Sequence, residues 1–173
     1  MRVKILRACA MPAVNSPDTD ELPKFTVTRR VGFSPQQIFS VVADVGSYRE
    51  FLPLVERSTV HNRKSLENGS ESFSADLLIG YHKMGIEETF TSTVETIPEQ
   101  LIVKADSTGN AVKKLVSSWQ ITGVDAASSD ITFFVDYEMK SVMLQMIVGS
   151  IFDAAVRKIM NAFEARAASL YTS

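Results

Sequence analysis

With a single cysteine, Cys9, the chain cannot form an internal disulfide, and a reducing compartment is its natural setting. The two histidines, His61 and His82, stand far apart and match no metal-binding spacing such as H-E-x-x-H, so no metal is expected. "GSIFD" does not follow the nucleophile elbow G-x-S-x-G, and there is no glycine-rich phosphate loop. No run approaches the roughly 18 consecutive apolar residues that signal a membrane-spanning helix. Neither sign of charge dominates. Lys and Arg total 18 against 20 Asp and Glu, a net charge of −2, which excludes general electrostatic capture of nucleic acid and leaves no DNA partner expected. A local basic face would have to come from Arg29, Arg30, Arg57, Arg63 and Lys64.

What is present is ordinary for one globular domain: 173 residues, 45% hydrophobic and 22% charged, enough to bury a real core. The opening "MRVKILRACAMP" is broken by Arg7, so no secretory signal is expected. Residues 11–23, rich in Pro, Asp, Ser and Asn, read with the preceding ten as a disordered leader, and Met11 is a second candidate start. The folded domain is expected over 24–171.

"KFTVTRRV" (24–31) alternates Phe25, Val27 and Val31 on one face, with Arg29 as the exception, and predicts a strand. "FSPQQIFSVVADV" then predicts a helix. Ser34 takes the N-cap, Pro35 N1 and Gln37 N3, a capping box, with Phe33 and Ile38 as a hydrophobic staple. Its apolar stripe reads Ile38, Phe39, Val42 and Val45. Period-2 alternation predicts strands over about 55–64, 71–81, 86–96, 101–105, 113–122 and 131–139. Turn signals at Asn68–Ser70 and Pro98 make the neighbours antiparallel hairpins. From 141 onward Leu144, Val148, Phe152, Ala155, Ile159, Phe163 and Leu170 recur at threes and fours, which predicts a helix of 25–30 residues. A curved antiparallel sheet with one apolar face needs a cover, and this helix is the obvious one. The expected class is α+β.

One stretch is unusual. "DVGSYREFLPLVERS" places Tyr48, Phe51, Leu52, Pro53, Leu54 and Val55 within eight residues, and Pro53 stops the helix from continuing. Either these side chains staple a short helical turn to the sheet, or they form an apolar lid over a ligand cavity. The lid is the reading favoured here.

This stretch, together with "LLIGYHKMGIEETFTSTV", "KKLVSSWQI" and "MNAFEARAASLY", resembles the START-like superfamily and, within it, the coenzyme Q-binding, polyketide cyclase/dehydrase-type family. The matching family strings are "DVxxYPEFLPWC…S", "LxIGF…ESYTSxV", "FKxLxxxWxF" and "xxAFExRAxxLY", and together they cover about residues 24–171. Arg49, Leu54 and Val112 depart from the pattern, the last two at positions that bear on ligand size rather than fold. The resemblance implies a helix-grip fold, six to seven antiparallel strands wrapped around the last helix. It also implies a hydrophobic cavity for ubiquinone, carried as a bound ligand in a non-enzymatic role supporting respiration, with no cofactor. The expected setting is cytoplasmic, peripheral to the inner membrane, with transient contact to the membrane surface. Two other roles travel with the resemblance: a ribosome-associated toxin that hinders subunit association, and a cyclase or dehydrase enzyme.

The expected ligand-binding residues are Tyr48, Phe51, Leu52, Pro53 and Leu54 from the lid; Leu77, Ile79, Glu88, Phe90, Trp119 and Phe133 from the strands; and Met143, Ile147 and Phe152 from the last helix. Glu88 shares the parity of Ile86, Phe90 and Val94, which points it inward. It is either a polar anchor or acid/base for a ligand, or half of an internal ion pair. Trp119 is a core residue or a ligand platform. Met139, Met143, Met146 and Met160 are gap-fillers or an adaptable wall for a floppy apolar tail.

Overall fold

Ser34 opens the first helix in the geometry its spacing predicts. In the computed structural model, which describes residues 24–172, Ser34 Oγ accepts the Gln37 N–H at 3.3 Å and Gln37 Oε1 accepts the Ser34 N–H at 3.0 Å. The predicted leader, with Cys9 and Met11, lies outside the described residues. This helix, α1 (Pro35–Ala43), follows strand β1 (Lys24–Val31). It buries Ile38, Val41 and Val42 and leaves Phe39 half-buried. Val41 was not on the predicted stripe; its burial follows from α1 touching both the sheet and the last helix, which widens the covered face.

A single 3-10 turn (Val45–Ser47) and a short helix, α2 (Tyr48–Phe51), lead into β2 (Val55–Ser65). The chain then runs through β3 (Glu71–Tyr81), β4 (Ile86–Ile97), β5 (Ile102–Thr108), β6 (Val112–Asp125) and β7 (Ser128–Met139) to α3 (Val142–Tyr171). The seven strands form one antiparallel sheet in the order β1-β7-β6-β5-β4-β3-β2. α1 and α2 therefore carry the chain from one edge to the other, and five hairpin connections bring it back beside β1. Irregular register near Val55–Arg57, His61–Lys64, Val112–Lys114 and Gly123–Asp125 marks bulges, and bulges bend and twist a sheet. Leu101 adopts φ 54°, so β5 starts one residue later than its apolar run suggests, at Ile102.

The concave face holds α3. Ser141 caps it, accepting the Leu144 N–H, and its 30 residues span about 45 Å at 1.5 Å per residue. Only the later turns enter the core. Val156, Met160, Phe163 and Ala167 are buried, whereas Leu170, expected on the apolar stripe, is 52% exposed. The opening turns leave Val142 at 80%, Met143 at 68% and Met146 at 72% exposure. Arg29, the polar residue on the inner face of β1, is explained by α3: its guanidinium meets Glu164 at 2.6 Å and Asn161 beside it. No helix among the described residues is long and apolar enough to cross a membrane.

Candidate functional site

Because the sheet curves away from the middle of α3, side chains from the two cannot close the gap. A cavity of about 300 Å³ remains between them. The inward parity of the central strands supplies its wall. Ala75, Leu77 and Ile79 of β3 lie beside Phe90, Ser92 and Val94 of β4, then Val103, Ala105 and Ser107 of β5. Leu115, Ser117 and Trp119 of β6 and Phe133 and Val135 of β7 continue it. Phe152, Ala155, Val156, Ile159 and Phe163 of α3 form the opposite side.

An aromatic cluster holds the end beneath α2. Tyr48 packs edge-on to Phe51 and Phe163 at 5.8 and 5.5 Å between centroids, and Trp119 lies 4.3 Å from Phe133 and 4.8 Å from Phe163. The Tyr48 hydroxyl donates to the Val42 carbonyl at 2.5 Å, and burial pushes its pKa well above the ordinary phenol value. Phe152 stacks on Tyr137 at 5.0 Å, and burial raises the Tyr137 phenol as well.

The structure brings Tyr48, Leu52, Leu77, Ile79, Phe90, Trp119, Phe133 and Phe152 together in the wall. The other expected residues lie elsewhere. Phe51 packs outside the cavity, between the Tyr48 and Phe163 rings and the Arg166 guanidinium. Pro53 and Leu54 are half-buried in the turn into β2. Leu54 takes φ 74°, and its carbonyl accepts the Gly80 N–H at 2.9 Å, which clips this turn to β3. The segment thus staples and covers at once: Tyr48 and Leu52 face the cavity while Phe51 and Leu54 fasten the connection.

Glu88 also differs from its expectation. Its Oε1 accepts the Asn110 N–H at 2.5 Å and lies 3.4 Å from the Ala111 N, so it caps the turn between β5 and β6 and stands outside the cavity wall. Pairing of β4 with β5 starts at Thr91 and Thr108, so Glu88 projects past the end of β5 and meets the turn amides. Met143 is exposed and Ile147 half-buried, both off the wall, because α3 leaves the concave face at its first turns. Sequence reasoning missed Ser92, Ser107 and Ser117. Strand parity was the signal for two of them: Ser92 shares a face with Phe90 and Val94, and Ser117 with Leu115 and Trp119, whereas Ser107 lies beyond the expected strand end at 105.

No group of three or more His, Cys, Asp or Glu among the described residues is placed to hold a metal. Among the described residues, Tyr48 is the one titratable side chain in the wall.

A curved antiparallel sheet gripping a long helix over an apolar cavity defines a helix-grip fold. The chain belongs to the polyketide cyclase/dehydrase and lipid transport family, whose sequence pattern matches residues 31–164. It is 34% identical over 142 residues to the mitochondrial coenzyme Q-binding protein COQ10 of Drosophila melanogaster, covering 80% of this chain. It spans only 56% of that longer protein. The ribosome association toxin RatA of Vibrio cholerae is 32% identical over 141 residues, 82% of this chain and 92% of the toxin. Among solved structures, the ZhuI aromatase/cyclase of Streptomyces sp. R1128 superposes with a TM-score of 0.73 over 84% of this chain and 93% of its own. At 16% identity that likeness is one of fold.

Proposed function

We propose that this chain binds a prenylated quinone, ubiquinone or a close analogue, in the cavity and carries it without chemical change, supporting respiratory electron transport. The observation that carries this reading is the character of the wall. It is aliphatic and aromatic throughout apart from three serine hydroxyls, the indole N–H of Trp119 and the spent hydroxyl of Tyr48. An apolar wall with few polar groups is what an isoprenoid quinone needs, and each buried CH₂ contributes about 0.8 kcal/mol. At about 300 Å³ the cavity stands at the small end of ligand pockets, roughly 300–1,000 Å³. It suits the ring and the first isoprene units, with the rest of a long tail leaving through the mouth. The name of the Drosophila relative agrees with this reading.

A quinone carrier must exchange its cargo with a bilayer, and the first turns of α3 offer a surface for that. Val142, Met143 and Met146 are exposed within a run from Ser141 to Phe152 that contains no charged residue, and Lys140 stands at its head. Apolar side chains beside a cation suit an anionic lipid surface.

The enzymatic alternative is less well supported, because acid/base work needs a titratable group against the substrate. Tyr48 has committed its proton to Val42, and burial keeps the phenol neutral. The ribosomal alternative draws on the basic residues of the first strands. Of these, Arg29, Arg30 and Arg63 are paired with Glu164, Asp130 and Glu71.

The test is mass spectrometry of the organic extract of protein purified without detergent, beside a cavity-filling Ala155→Phe variant of native circular dichroism. Quinone in the first and not in the second is expected. A protein that carries no quinone and takes up none when it is added would overturn the reading and turn attention to sedimentation with ribosomal subunits.

A further inference from the structure

Ser92 of β4 and Ser107 of β5 face each other across the strand pair, both buried, with their hydroxyl oxygens 2.7 Å apart. Two hydroxyls carry two hydrogens, and the contact uses one of them. The second hydrogen meets no acceptor among the described residues. On the next strand, Ser117 pairs with Ala105, two residues along β5 from Ser107, and its hydroxyl makes no hydrogen bond to a described residue. All three hydroxyls open into the cavity, and apart from them, Tyr48 and the indole N–H of Trp119 its wall is hydrocarbon.

A cross-strand serine pair can stabilise a sheet by itself, but that purpose is complete with one hydrogen bond. It leaves unexplained why three neighbouring inward positions, between Val94, Ala105 and Leu115, carry hydroxyls in place of methyl groups. A buried donor with no acceptor is costly, and a ligand oxygen would remove the cost. We propose that Ser92, Ser107 and Ser117 form a hydrogen-bonding subsite that receives a carbonyl or ether oxygen of the ligand and so fixes its ring end among β4, β5 and β6. The inference rests on the quinone reading and deepens it. The apolar wall holds the tail by area alone, which is indifferent to orientation, whereas the hydroxyls distinguish a ring that carries oxygens from a plain isoprenoid.

Trp119, the sole tryptophan of the chain, lines the same cavity, so quenching of its fluorescence reports binding. Two probes are titrated: a ubiquinone with two isoprene units and an acyclic isoprenoid hydrocarbon of matching length. Ser92→Ala/Ser107→Ala should lose about tenfold in affinity for the quinone, the worth of one to two neutral hydrogen bonds, and keep its affinity for the hydrocarbon. Infrared spectra of bound quinone should show the carbonyl stretch moving to higher frequency in the variant, a change that altered packing alone would not produce. Ser92→Cys, close to isosteric and a weak donor, should fall between the two and serves if the double variant folds poorly.

Wild-type binding with no change in the double variant, or an equal loss for both probes, would overturn the subsite while leaving the quinone reading intact. Failure of the wild type to bind the quinone at all would overturn both.

Discussion

The guanidinium of Arg166, on α3, lies 5.3 Å from the ring centre of Phe51 and donates to Glu50 at 2.7 Å, so one side chain fastens the C-terminal end of α2 to the helix beneath it. α2 carries Tyr48 into the cavity wall and leads directly to Leu52. If α2 gates the cavity, Arg166 sets how easily this cover lifts. A partly exposed ion pair and a cation–π contact each stabilise by about 0.5–1 kcal/mol. Arg166→Ala should cost about 1–2 kcal/mol in urea unfolding and speed release of bound quinone in stopped-flow transfer to vesicles. Arg166→Lys should recover part of the stability, since it keeps the charge but loses the planar stack. An unchanged release rate in Arg166→Ala would show that α2 does not gate the cavity.

Much of this arrangement was legible in the sequence because it depends on local periodicity. The capping box at Ser34, the period-2 strands and the long last helix each carry their own signal; five of the wall residues follow from strand parity and Phe152 from helical spacing. What parity does not encode is where a strand loses its partner. Glu88 has inward parity, yet β5 stops short of it, and the backbone amides at Asn110 and Ala111 take its carboxylate. Met143 stands beside Leu144 at the start of the apolar stripe of α3, but there the helix runs past the edge of the concave face and the side chain meets solvent. Ser92 had the right parity and the wrong residue type, since a reading that looks for hydrophobic side chains passes over polar ones, and Ser107 lies past residue 105, where the expected strand ends and β5 continues to Thr108.

Glu88 gives a sharp separation between a structural and a ligand role. Glu88→Ala should leave the turn amides of Asn110 and Ala111 without their acceptor and cost about 1–2 kcal/mol, and Glu88→Gln, which keeps a carbonyl oxygen, should cost less. Hydrogen exchange at the Asn110 amide should quicken in the alanine variant. Quinone affinity should be unchanged in both once stability is accounted for. A selective loss of affinity in a stable Glu88→Gln protein would return this carboxylate to the ligand.

The exposed apolar turns of α3 should matter for membranes and not for folding. Val142, Met143 and Met146 are all largely exposed, so after replacement by serine the unfolding free energy should stay within about 0.5 kcal/mol of the wild type. Flotation with vesicles containing anionic lipid should fall steeply, by about tenfold for each side chain that inserts. Retained flotation in the triple variant would place the membrane contact elsewhere on the surface.

Tyr48 predicts a pH dependence at the alkaline end. Only the neutral phenol can donate to the Val42 carbonyl, and burial holds the pKa in the folded chain well above the value of about 10 that it regains on unfolding. The folded state thus binds this proton more tightly. Its contribution is whole below pH 10 and is lost as the pH rises from there toward the folded value, because the unfolded chain ionises first. Tyr137, whose phenol is also raised, adds to the same slope. At pH 7, Tyr48→Phe should cost about 1 kcal/mol for the lost hydrogen bond and the stranded carbonyl. Above pH 10 the gap between variant and wild type should close, because phenylalanine has no proton to lose. Urea unfolding at steps from pH 7 to pH 11 measures both quantities. A gap that holds constant across that range would mean that Tyr48 ionises in the folded chain as readily as in the unfolded one, and the cavity beside it would then be far wetter than its wall implies.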